Sequence, residues 1–365
     1  MNSHLKSLKI LSFRGLEGVS FDALTQVNLF VGMNNSGKTS VLESLMLLLR
    51  PGDSRNWINL LNARASVVGA KSRKSAVEWL FPVIDRTFPI EHKPLLLECE
   101  LSNGGASLRG VFVQTDKLSA GSEETPDVSL DYYSESLKEE PRRSGGIYFE
   151  SLQTVGQNSS SSRRVSHPRI DEEIRSIPGV TVELAKPQGH RTTGASLRKL
   201  IDAMSGHLGK SIRETFQAFD EDIVDLIQEP PEGRDHHYFI EHSKLGLLPL
   251  ESYGDGVRKA AYVIEHLIRA KDGILLIDEI ETALHYKAQE YFIKLIRDLA
   301  VELNVQLFIT THSLETVDAI IKSSKNDLAD LTGYHLPDRK TSGEVKRLDG
   351  EFLKRIRLQR GLEIR

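Results

Sequence analysis

Hydrophobic residues gather in short, ordered runs near the two ends of the chain and thin out between them. Leu8–Phe13 and Val27–Val31 are apolar runs rich in β-formers and predict two strands. From Ser40 to Arg50 the apolar positions take helical spacing, and Pro51-Gly52 predicts the stop. Leu95–Leu101 and Leu108–Gln114 predict paired strands around Asn103-Gly104-Gly105. Asp116–Asp171 is rich in Ser, Glu, Gly and Pro, including Ser159–Ser162, and predicts long mobile loops. Helical spacing returns over Ser196–Ile227, through Leu197, Leu200, Ile201 and Met204 and then Ile212, Phe216, Phe219, Ile223 and Leu226. Asp255–Ala270 predicts a helix with Val257, Ala261, Ile264 and Ile268 on one face. Ile274–Ile277 is fully apolar, as strands covered on both faces are. Tyr286–Leu303 predicts an amphipathic helix and Gln306–Thr310 the next strand. Strand, helix, strand in that order is a βαβ unit, which makes the sheet parallel there.

The expected fold class is therefore α/β, with a mixed or parallel sheet split by a large α+β insertion. The discontinuous core is placed at 1–52 and 245–325, the loop-rich insertion at 53–244, and a C-terminal segment at 326–365.

Composition narrows the class without choosing a function. Apolar residues make up 39% and charged residues 27% of the chain, the balance of a soluble globular protein. A net charge of −4 gives no global pull toward nucleic acid or anionic lipid, so such a surface would be local. Cys99 is the single cysteine, which excludes an internal disulfide; its apolar surroundings predict a buried thiol rather than a nucleophile. No run approaches the ~18 apolar residues of a membrane span, and Met1–Lys9 lacks a signal-peptide core. A cytoplasmic protein without membrane contact is expected.

The first chemistry-bearing motif lies between the second strand and the first helix. Gly32-Met33-Asn34-Asn35-Ser36-Gly37-Lys38-Thr39 fits G-x-x-x-x-G-K-[ST] in full, and Ser40 opens the helix. Glycine lets the backbone curl so that its N–H groups point at phosphate oxygens. Lys38 offers a cation for β and γ phosphates, the Thr39 hydroxyl a ligand for Mg²⁺, and the helix its positive end. The strand-loop-helix context makes this a specific signal for ATP.

Two weaker motifs gain meaning from it. The strand Ile274–Ile277 runs into Asp278-Glu279, where Asp278 could hold Mg²⁺ and Glu279 could polarise an attacking water. Alone, two acids leaving a sheet are unremarkable. Gln306–Thr310 runs into Thr311-His312-Ser313, where His312 reads as a γ-phosphate contact in this company and as a plain loop histidine without it.

Phosphate loop, Ser252-Tyr253-Gly254-Asp255-Gly256, Asp278-Glu279 and His312, in that order, resemble the ABC-type ATPase superfamily. Leu8-Lys9-Ile10-Leu11-Ser12-Phe13-Arg14-Gly15-Leu16 is similar to the first strand of its RecF, SMC and OLD group. Asn34-Asn35-Ser36 and Asp278–His285 are similar to the OLD-like branch. The resemblance implies an ABC-type P-loop NTPase head that works as a homodimer, or a higher homo-oligomer, closed head to tail on ATP. It also implies that Ser252, Gly254 and Gly256 form a signature contacting the partner's γ-phosphate. Read by themselves these residues are an ordinary helix N-cap, with Ser252 or Asp255 capping. Arg258 is read evenly as a cation for the site or a solvated helix residue. The signature departs from the transporter form. The glutamine loop is unidentified, with Gln114 the candidate, and no nuclease domain is recognisable after His312.

His236, His237 and His242 read more readily as loop or strand residues than as metal ligands. The tail 344–359 offers a basic stripe or a solvated helix face. The function expected is slow ATP hydrolysis that regulates or scaffolds a separate effector, a nuclease or toxin, in bacterial anti-phage defence. The alternative is a RecF-like maintenance ATPase that clamps DNA, and a transporter motor fits least.

Overall fold

The computed structural model describes residues 4–51, 56, 60, 80–85, 91–114, 145–155, 158–166, 180–191, 197–228, 238–324, 328–338 and 344–364. In chain order the strands and helices begin with β1 (Leu5–Phe13), β2 (Leu16–Phe21), β3 (Val27–Val31), α1 (Lys38–Leu49), β4 (Val83–Asp85) and β5 (Glu91–His92). Next come β6 (Leu95–Leu101), β7 (Gly104–Gln114), β8 (Gly145–Val155), β9 (Asn158–Ser166) and β10 (Thr181–Ala185). Then follow α2 (Arg198–Met204), α3 (Gly209–Gln217), β11 (Ile223–Gln228), β12 (Tyr238–His242), β13 (Gly246–Pro249) and α4 (Asp255–Arg269). The chain continues through β14 (Gly273–Ile277), α5 (Tyr286–Glu302), β15 (Gln306–Thr311), α6 (Leu314–Lys322), β16 (Leu331–His335), β17 (Lys346–Asp349) and α7 (Gly350–Lys354).

The chain divides into two compact units, one of 1–6, 23–42 and 180–365, the other of 7–22 and 43–179. The first is built on the sheet β10-β14-β15-β3-β16-β17. Its strands run parallel from β10 to β16, and only β17 is antiparallel. Every residue of β3, β14 and β15 is buried, as apolar strands covered on both faces must be. Leu29, Val31, Leu275, Ile277, Leu307 and Ile309 join the core cluster that α4 enters through Val257, Ala261 and Ile264. Phe30 stacks on Phe308 and Tyr334, with ring centroids 6.2 and 5.7 Å apart. Asn28 is a polar residue inside β3 with no exposure, and its amide is satisfied by Thr25 and by the Leu307 carbonyl. The three-stranded antiparallel sheet β11-β12-β13 leads into α4.

The second unit carries the sheet β2-β1-β6-β7-β8-β9, which is antiparallel along β6 to β9. β6 and β7 pair as expected, but the turn is residues 102 and 103, and Gly104 and Gly105 already belong to β7. Cys99 is buried in β6, and burial pushes its thiol up to about 12, so it is no nucleophile.

The structure changes three expectations. Within the stretch read as mobile loops, 145–155 and 158–166 form two paired strands, and Ser159–Ser162 lie in β9 opposite Leu152–Thr154 and Ser151. A ladder satisfies backbone groups whatever the side chains, so polar composition did not exclude it; residues 116–144 and 167–171 lie outside the described residues. Ile223 and Leu226 belong to a strand rather than to the preceding helix. α3 ends at Gln217, and β11 pairs with β12 from Ile223 onward. Finally, β10 from the span assigned to the insertion hydrogen-bonds to β14, and β16 and β17 from the C-terminal span complete the same sheet. β10 is only five residues long with an irregular burial pattern, and sheet membership is a long-range property.

Candidate functional site

The glycine-rich loop, the Asp278-Glu279 pair and His312 follow the C-terminal ends of the adjacent parallel strands β3, β14 and β15, where open α/β sheets bind ligands. β3 leads into the loop 32–37 and α1. Gly32 has φ 154°, and a Cβ there would lie 2.7 Å from the Leu336 carbonyl oxygen and 2.9 Å from Ser36 Oγ. Gly37 has φ 102°, and Asn35 takes a left-handed φ of 68°, which asparagine tolerates better than most residues. Met33, Asn34 and Asn35 are exposed at the tip, while Ser36, Gly37, Lys38 and Ser40 are buried and Thr39 is half-buried. The Ser36 hydroxyl is buried without a hydrogen-bond partner. Lys38 Nζ donates to the carbonyls of Gly32 and Met33, each at 2.8 Å. Burial pulls its pKa below the ordinary lysine value against the opposing charges of Glu279, Glu281 and Asp278.

The acids are tied to this loop by hydroxyls. Thr39 Oγ1 lies 3.1 and 3.0 Å from the two carboxylate oxygens of Asp278. Thr310, at the end of β15, donates to Asp278 Oδ1 at 2.6 Å and accepts the Glu279 N–H at 2.8 Å. Burial raises the Asp278 pKa, and the Thr310 and Thr39 hydrogen bonds work against that rise. Glu279 holds a left-handed φ of 47°, an uncommon conformation for a non-glycine residue. Its Oε2 accepts from Thr282 Oγ1 at 3.3 Å.

His312 follows β15 and is half exposed. Its Nδ1 and its main-chain N–H both lie 2.9 Å from Glu281 Oε1. Glu281 Oε2 is buried and unpartnered among the described residues. Thr310 and Glu281 lie within stretches that sequence reasoning singled out, but neither was given a role there.

The segment 252–256 lies at the start of α4. Neither Ser252 nor Asp255 caps the helix: the N-cap is Gly254, without a side-chain hydrogen bond. Ser252 Oγ donates back to the Pro249 carbonyl at 2.6 Å. A Cβ on Gly256 would come within 3.2 Å of the Ala283 carbonyl oxygen, whereas one on Gly254 meets nothing within 4 Å. Arg258 is committed to the His190 carbonyl and to Asp255, which also binds Arg191. Arg14 is paired with buried Glu43 in the other unit.

β10 supplies what the sequence did not disclose. It flanks the Asp278 strand, and its last residue, Ala185, accepts the Asp278 N–H at 3.0 Å. The turn that follows carries Gln188, which is exposed. Gln114 lies on β7 in the other unit. The available signal was Lys186-Pro187-Gln188-Gly189 after a short β-rich run. His236 and His237 lie outside the described residues. His242 is buried near Asp220 and Asp222, and its Nδ1 accepts from the main-chain N–H groups of Lys244 and Leu245.

The family model described as "AAA domain, putative AbiEii toxin, Type IV TA system" matches residues 27–318, well over half of the chain and all of the loop, acid and histidine elements above. The chain belongs to this AAA family. It is an ATPase. The family member is 20% identical over 343 residues to an ATP/GTP phosphatase of Helicobacter pylori, covering 87% of each chain. It is 22% identical over 336 residues to the OLD nuclease of Thermus scotoductus, covering 85% of this chain and 59% of that protein. It is 42% identical over 45 residues to the DNA replication and repair protein RecF of Francisella tularensis, covering 12% of this chain and 13% of that protein. Among solved structures, an SMC head bound to the C-winged helix domain of ScpA aligns with 95% of this chain and 98% of its own, at 15% identity and a TM-score of 0.49.

Proposed function

We propose that two copies of this chain close head to tail on two ATP molecules and that a separate effector protein reads the closure. The observation that carries the nucleotide site of this reading is the link from Thr39 through Asp278 to Thr310 and Glu279, which joins loop and acids. Thr39 and Asp278 offer oxygen donors side by side, the set a magnesium ion prefers, so the residues fit Mg²⁺. When bound there, Mg²⁺ would neutralise phosphate charge.

The chain's own residues do the rest. Loop N–H groups around Gly32–Thr39 and Lys38 bind the phosphates, with Asn34, Asn35, Ser36, Gly37 and Ser40 shaping the cradle and the helix start. Lys38 gives up its two carbonyl contacts for phosphate oxygens. Glu279 orients the attacking water and takes its proton, and Gln188, on the turn after β10, serves as the glutamine-loop residue. His312, held by Glu281, contacts the γ-phosphate. In the dimer Ser252, Gly254, Gly256 and the uncapped start of α4 receive the γ-phosphate bound by the other copy.

The effector reading is supported by the OLD nuclease relative and by a family description that names a toxin–antitoxin system. In that setting the role read here is anti-phage defence. No helix among the described residues is long and apolar enough to cross a membrane. The test is Glu279→Gln with ATP and Mg²⁺. The variant is expected to bind ATP, to turn it over at least ~100-fold more slowly, and to accumulate as a dimer in sedimentation. A variant that stays monomeric with ATP bound refutes head-to-tail closure.

A further inference from the structure

Beyond the residues already given roles, one buried group stands out. Lys259 lies in α4 with no exposure. Its ammonium donates to the main-chain carbonyls of Lys186 at 3.3 Å and Pro187 at 3.1 Å. Those carbonyls open the turn between β10 and Gln188, one residue beyond the Ala185 carbonyl that takes the Asp278 N–H.

The same helix grips this turn at further points. The Tyr262 hydroxyl lies 3.4 Å from the Lys186 nitrogen, which donates to it. Arg258 donates to the His190 carbonyl at 3.1 Å, and Asp255 pairs with Arg191. A Cβ on Gly189 would lie 2.1 Å from the Tyr262 hydroxyl, so the turn is packed directly against the helix. Electrostatics points the same way. Burial pulls Lys259 down to about 8, while the charges of Asp278, Glu281 and Glu279 hold it up. Lys259 in turn is one of the groups that lower the Asp278 pKa. A buried ammonium is costly unless it is paired and hydrogen-bonded. Here it has two carbonyls in hydrogen-bond contact.

We propose that Lys259 is a positioning residue for ATP hydrolysis: from inside α4 its ammonium holds the Gln188 turn and, with it, the end of β10 that accepts the Asp278 N–H. The helix whose start would meet the partner's nucleotide is thereby joined to the acids that serve this chain's own. The inference rests on the nucleotide reading above and adds a coupling residue to it.

The test compares Lys259→Met with Lys259→Arg. Methionine has similar volume but takes the ammonium away from its two carbonyls, and removing one partner of a buried charged group is destabilising, so thermal unfolding is measured beside turnover to separate lost stability from lost catalysis. Calorimetric ATP affinity, kcat, KM for ATP and thermal unfolding are measured on the full chain. For K259M the expected result is ATP affinity and KM within about threefold of wild type and kcat down at least ~10-fold, the pattern of a lost transition-state interaction. K259R, which keeps the charge, is expected to recover most of that loss. Turnover of K259M within about twofold of wild type, or equal losses in both variants, overturns the proposal. If K259M fails to fold, K259R decides: retained turnover supports the proposal, and lost turnover with intact ATP binding overturns it. A wild-type chain that neither binds nor hydrolyses ATP refutes the nucleotide reading itself, a result separate from any difference between the variants.

Discussion

Thr310→Val removes one hydroxyl from the centre of the site and changes almost nothing else in shape. Thr310 has no exposure, and its hydroxyl makes two bonds at once, donating to Asp278 Oδ1 at 2.6 Å and accepting from the Glu279 N–H at 2.8 Å. A hydrogen bond to a charged group contributes about 1.5–3 kcal/mol, and a buried donor left unpaired costs about 1–3 kcal/mol. Relaxation recovers part of this, so a loss of roughly 2–4 kcal/mol in unfolding free energy is expected. The functional cost comes from Glu279, whose φ of 47° is held in part by the lost bond. Such left-handed strain costs a non-glycine residue about 1–3 kcal/mol and persists only where the surroundings enforce it. Once released, the carboxylate moves, and a displacement near 1 Å is enough for about a 100-fold loss of rate. We therefore expect kcat to fall between about 10- and 100-fold with KM for ATP little changed. Thr310→Ser, which keeps the hydroxyl, should stay close to wild type. Urea unfolding and steady-state phosphate release on the three proteins provide the measurement. A T310V protein within ~0.5 kcal/mol of wild-type stability and within about twofold in kcat would show that the hydroxyl bridge does not hold the acids.

Lys38→Ala removes the cation of the phosphate loop and should weaken ATP binding at least ~100-fold, the equivalent of about 3 kcal/mol in charge-assisted contacts; calorimetric titration is the check. Gly32→Ala places a methyl 2.7 Å from the Leu336 carbonyl oxygen, so the loop must shift, and ATP affinity should drop on the order of tenfold or more without loss of the fold. His266 gives a pH prediction: burial holds its imidazole down to about 4, so between that value and its ordinary 6.5 the unfolded chain takes up a proton that the folded chain refuses. Stability contributed at neutral pH is thus lost as pH falls through 6.5 toward 4, and His266→Leu should flatten that part of the profile in urea unfolding; an unchanged slope would place the cause elsewhere.

By itself the sequence determined the local chemistry. The loop Gly32–Thr39 was legible as a candidate phosphate site because such a site needs only backbone geometry plus one cation and one hydroxyl, all within eight consecutive positions. The apolar runs of β3, β14 and β15 were legible because strands covered on both faces need continuous hydrophobicity. Tertiary structure alone decided who stands beside whom. β10 is short and irregular in burial, so nothing in residues 181–185 announces that they flank the Asp278 strand. Gln188 gained meaning only from that neighbour, and the glutamine sought on β7 lies in the other unit. The polar strand β9 was invisible because ladder hydrogen bonds belong to the backbone and not to its serines. Thr310, Glu281 and Lys259 were passed over for one shared reason. A hydroxyl, a carboxylate and an ammonium have ordinary identities along the chain, and their roles come from partners on other strands and helices that only the folded sheet brings within hydrogen-bond or charge range.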